Sequence, residues 1–211
     1  MIKKRSLIIE KTEKEKGNAL FMILIAVALF AALSYAVTQS GRSGGGIDKE
    51  KAIIEAAQVI QYASSLRNEI TKMRVIGGVT SSALDFDAPG SAGYNAPVPE
   101  NEVFNPLGGD QVWEIPSSTY LSSSQNPQTW LFLTKIIPGV SSGLADRVMW
   151  IWIEKNAYTT EFCTQINKNL GLATPIVNES IFWQWDSYPG APAACIGSAG
   201  SYLFYFTLVE N

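Results

Sequence analysis

Residues 15–37 read EKGNALFMILIAVALFAALSYAV. From Ala19 to Val37 the run carries no charge, and only Ser34 and Tyr35 in it are polar. As an α-helix it would span roughly 29 Å, close to the ~30 Å hydrocarbon core of a bilayer. A buried helix of a soluble domain is the plainer alternative, but the length and uniformity exceed what a core helix needs. Flanking charge sets an orientation. Lys3, Lys4, Arg5, Lys11, Lys14 and Lys16 precede the run, whereas only Arg42, Lys49 and Lys51 lie close behind it. The positive-inside rule then holds the N-terminus in the cytoplasm and exports the rest, with Tyr35 near the outer interface.

The rest of the composition narrows the chemistry. The chain has 211 residues, 46% apolar and 17% charged, enough for one globular domain plus an appendage. Its net charge of −3 offers no electrostatic footprint for nucleic acid. That charge is split: residues 1–17 hold six basic groups against three acidic, and the remainder holds 10 against 16. A basic head before an acidic body marks a targeting or anchoring segment. His is absent, which removes the commonest general base, the commonest metal ligand and every Ser–His or Cys–His pair. Two Cys without His are too few for a zinc site. No catalytic residues, cofactor or metal are therefore expected, and the chain reads as a non-enzyme.

Three fates are open to the apolar run. It can stay uncut as a signal anchor, be removed after Ser34-Tyr35-Ala36 as a secretory signal, or survive a cut after Lys16-Gly17. Glu15-Lys16-Gly17 followed by Asn18-Ala19-Leu20-Phe21-Met22-Ile23-Leu24-Ile25-Ala26 resembles the class III signal of type IV pilins and pseudopilins. The resemblance implies that a prepilin peptidase cuts between Gly17 and Asn18. It implies that the apolar helix then anchors the subunit in the bacterial inner membrane, with its head in the periplasm. It further implies packing of that helix against other pilin-like subunits, up to a cell-surface filament or a type II secretion-like machine. Two departures set this chain apart. Asn18 stands where most members have Phe or Met, and Met22 stands where most have Glu. Members lacking that Glu tend to be minor subunits, so the likeness is to a minor or distant pilin-like protein.

Beyond the anchor, residues 41–46 (GRSGGG) predict a Gly-rich hinge, because Gly costs about 1 kcal/mol in a helix interior. Residues 47–78 predict an amphipathic helix. Asp48 is its expected N-cap, Ile53, Ala57, Ile60, Ala63, Leu66, Ile70 and Met73 its apolar face, and Gly77-Gly78 its stop. Residues 79–127 are rich in turn formers, with one strand expected near Gln111–Ile115. Four β-prone runs follow at 129–137, 147–154, 180–186 and 201–209, and 158–170 predicts a short helix that Thr160 would cap. The fold class is therefore α+β: an N-terminal hydrophobic helix (18–40) behind a basic leader (1–17), then an amphipathic helix packed on a small antiparallel sheet within a head spanning 79–211.

Cys163 and Cys195 are the only thiols. An exported even pair reads as a disulfide tying the 158–170 helix to the turn before the last strand, with two free thiols as the alternative. Its placement is similar to the C-terminal disulfide loop of pilins. Asp85-Phe86-Asp87 supplies oxygens a calcium ion would accept, though a solvated turn is the simpler reading. The aromatics Trp130, Trp150, Trp152, Trp183, Trp185, Tyr202, Phe204, Tyr205 and Phe206 read first as sheet core. An exposed aromatic platform would instead make the chain an exported or anchored binding module recognising a glycan or a protein.

Overall fold

A computed structural model of the chain describes residues 13–40, 44–95, 97–121, 129–140, 142–172, 190–198 and 200–211. They divide into two compact units, Met1–Ile47 and Asp48–Asn211. The architecture is α+β, with three helices and a four-stranded antiparallel sheet.

The first unit is dominated by α1, Glu13–Ser40. Every side chain described in it, Leu20 to Tyr35, is exposed. That stretch makes about 24 Å of helix. Among the described residues no helix is long and apolar enough to cross a membrane.

Helix α2 runs Gly44–Val75. It takes in Gly44–Gly46, which were expected in the hinge, and Asp48, which was expected as a cap and sits inside the helix. Its buried face is Ala52, Ala56, Val59, Tyr62, Ala63, Leu66, Ile70 and Met73. Apart from Tyr62 the steps alternate between four and three residues, which keeps one stripe facing the partner. The C-terminal half matches expectation. In the N-terminal half the stripe is shifted by one residue: Ile53 is 40% exposed and Ala57 is also exposed, while Ala52 and Ala56 are fully buried. After Val75 the chain turns, with Gly78 at φ +69° and the Val79 N–H donating to the Met73 carbonyl at 3.2 Å.

The sheet is ordered β1-β2-β4-β3, from Leu131–Lys135 (β1), Asp146–Glu154 (β2), Ala193–Ser198 (β3) and Ser201–Val209 (β4). β2 and β4 fall where the β-branched and aromatic density predicts them. β3 was not anticipated, because Ala193-Ala194-Cys195-Ile196-Gly197 has little intrinsic strand preference. Pairing explains it: Cys195 stands opposite Phe204 and Ala193 opposite Phe206, so small residues make room for rings on β4. The strand expected near Gln111–Ile115 is not part of the sheet; that segment has no regular secondary structure. The expected strand at 180–186 lies outside the described residues.

Both faces of the sheet are covered. Met149, Ile151, Ile153, Tyr202, Phe204 and Phe206 share one core with the α2 stripe. Val148, Trp150, Leu203, Tyr205, Ala194 and Ile196 form a second core with Ile137 and Ala191. Eight consecutive residues of β4, Tyr202 to Val209, are buried, as befits an inner strand covered on both sides.

Candidate functional site

Gly17 and Asn18, the residues expected to flank a processing cut, both fall inside α1. The disulfide expected between Cys163 and Cys195 is present, with a Cα–Cα distance of 5.4 Å and both residues fully buried. It joins α3, Ala157–Asn169, to β3 rather than to a turn. Helix α3 begins at Asn156, whose Oδ1 accepts the Thr159 N–H at 2.9 Å while the Thr159 hydroxyl accepts the Asn156 N–H. This reciprocal box replaces the expected Thr160 cap. One turn beyond Cys163, Asn167 reaches the same strand residue: its Oδ1 accepts the Cys195 N–H at 2.7 Å and its Nδ2 donates to the Cys195 carbonyl at 2.8 Å. The helix is thus attached to the sheet edge twice, covalently and by an amide that mimics a neighbouring strand.

The aromatic platform does not form from the described residues. Trp130, Trp150, Tyr202, Phe204, Tyr205 and Phe206 are all buried, and Trp152 is half-buried and packs edge-on against Trp150. Trp183 and Trp185 lie outside the described residues. Asp85 and Asp87 form a turn in which the Asp85 carboxylate accepts the Asp87 N–H at 2.9 Å. Burial raises the Asp87 carboxyl above its usual range, helped by the Asp85 and Glu102 carboxylates. Among the described residues no group of three or more His, Cys, Asp or Glu is placed to hold a metal ion.

A polar centre that the sequence did not announce lies where α2 meets the loop before the sheet. The half-buried Glu55 carboxylate accepts from the hydroxyls of Ser117 (3.4 Å), Thr119 (3.0 Å) and Tyr158, with the Lys51 ammonium 3.9 Å away. It joins α2, the 117–119 turn and the first turn of α3 through one side chain. Beside it opens a cavity of about 160 Å³, bordered by Glu55, Tyr62, Glu114, Tyr120 and Trp130. Burial pushes the Tyr62 and Tyr120 phenols up to about 12, against the backbone N–H bonds from Glu114 and Ser117, which act the other way; the Glu114 carboxylate, and for Tyr120 also Glu55, add to the rise. Burial and its bond to Glu55 raise the Tyr158 phenol as well. These groups come from residues 55–62, 114–120 and 130, with no shared motif, so no sequence signal joins them. The arrangement can hydrogen-bond a polar group through its hydroxyls, indole N–H and carboxylates.

No family model matches the chain, and neither a curated protein nor a solved structure was found to match it.

Proposed function

We propose that the chain is a pilin-like subunit, of the minor type, anchored through residues 19–37 in the inner membrane of a bacterium and able to pack there against other pilin-like helices. The observation that carries this reading is Lys16-Gly17-Asn18 within a helix whose described apolar side chains beyond them are all exposed, the large ones from 41% at Ile25 to 74% at Phe30. Water is a poor solvent for such a surface. Lipid or like helices are good ones. The six basic residues ahead of the run keep the leader cytoplasmic and place the head outside.

The mechanism is mechanical. A prepilin peptidase would remove residues 1–17 and leave the greasy helix at the new N-terminus. With Met22 in place of an acid, no carboxylate needs a partner inside the bilayer, so association rests on apolar packing. The oxidising compartment outside suits the buried Cys163–Cys195 bond.

Intact-mass measurement of the protein recovered from membranes that contain a prepilin peptidase tests this. A mature chain starting at Asn18 is expected. A chain starting at Val37 would make it a secreted domain, and an uncut chain a plain signal anchor; either result ends the pilin-like reading.

A further inference from the structure

Anchoring does not account for the cavity beside Glu55. Trp130, in its wall, is 3% exposed, and its indole N–H has no hydrogen-bond partner among the described residues. Buried donors are rarely left so, because an unmade bond costs the full desolvation of the group. The Tyr62 hydroxyl accepts the Glu114 N–H at 3.3 Å and the Tyr120 hydroxyl accepts the Ser117 N–H at 3.2 Å, which leaves both phenolic protons to be given. The Glu55 carboxylate is already occupied by Ser117, Thr119 and Tyr158. Glu114 is exposed at the rim and supplies an acceptor.

We propose that this cavity binds a single neutral saccharide residue. Unspent donors and a carboxylate in one lining call for a ligand whose groups both accept and donate, which is the property of hydroxyls. An anionic ligand would face the Glu55 and Glu114 charges. A simple cation would leave the indole and the two phenols unused. About 160 Å³ holds roughly five waters' worth of matter, small beside clefts for drug-sized ligands and suited to one sugar ring. Tyr62, Tyr120 and Trp130 give that ring apolar walls. Trp130 lies against Tyr62 with ring centroids 5.7 Å apart in the cavity wall, so a ligand seated there should alter Trp130 emission.

The test is a titration of the full chain in detergent micelles with glucose, galactose, N-acetylglucosamine and galacturonate, read by saturation-transfer NMR and tryptophan fluorescence. At least one neutral sugar is expected to saturate at roughly millimolar concentration, as a single small ring should. Galacturonate is expected to bind about tenfold more weakly than galactose. Trp130→Phe should lower affinity about fivefold by removing the unspent donor. Glu114→Gln, at an exposed position that leaves the fold intact, should narrow the gap between galactose and galacturonate. The proposal is overturned if no neutral sugar saturates, if galacturonate binds as well as galactose, or if both variants bind like the parent. None of these outcomes depends on where the leader is cut.

Discussion

Asn167 stands in for a fifth strand. Its amide occupies the backbone of Cys195 at the outer edge of β3, where open N–H and C=O groups would invite pairing with another chain. Asn167→Ala strands a buried donor and a buried acceptor together, so a loss of about 3 kcal/mol is expected in urea unfolding. The buried tyrosines make a second case. Tyr62 and Tyr120 titrate near 12 in the fold and near 10 when unfolded, so the native state holds their protons more tightly. Their contribution is whole below pH 10 and is lost as pH climbs toward 12. Unfolding free energy measured from pH 8 to 12 should stay level to about 10 and then fall, with a shallower fall in Tyr62→Phe. Neither residue stands out in the sequence, because an Asn late in a helix and a Tyr on its face gain meaning only from what packs against them.

Helix α2 shows how far periodicity reaches. A stripe at three- and four-residue spacing is readable from the chain, and its C-terminal half, Ala63 to Met73, is buried in the register the spacing predicts. Its N-terminal half is one residue off because hydrophobicity favours Ile53 and Ile60, whereas the fold buries the small side chains of Ala52 and Ala56 completely. Two neighbouring substitutions separate these registers. Ala56→Leu should cost about 1–3 kcal/mol by overpacking, while Ala57→Leu should change stability by less than about 0.5 kcal/mol. Thermal melts of the pair decide between them; equal effects would place the stripe wrongly. Helix α3 was legible as a short helical stretch closed by Gly171, but its cap, Asn156 with Thr159, and its docking on β3 were not. Replacing both Cys163 and Cys195 by Ala should cost about 3–4 kcal/mol, measured against the oxidised parent.

Across the whole chain, the two units carry different kinds of information. The first is a helix with nothing but apolar side chains to offer over most of its described length. The second buries a sheet on both faces and holds a polar centre between α2 and the 114–120 segment. If the leader is processed as proposed, Gly17→Leu should leave the chain at full length in the presence of a prepilin peptidase, with the head's melting temperature unchanged. A shortened Gly17→Leu product would show that the enzyme does not read this site.

Local order came straight from the amino acids. The uncharged run, strands β2 and β4 and helix α3 each rest on short-range composition or periodicity, which a linear chain displays in full. The α+β class follows from them. Packing supplied the remainder: which stripe of α2 is buried, why Ala193–Ser198 is a strand at all, why both sheet faces are dry, and how Glu55, Tyr62, Glu114, Tyr120 and Trp130 come to enclose one cavity. Each of those depends on residues far apart in the chain excluding water from one another, and no window of sequence contains that pairing.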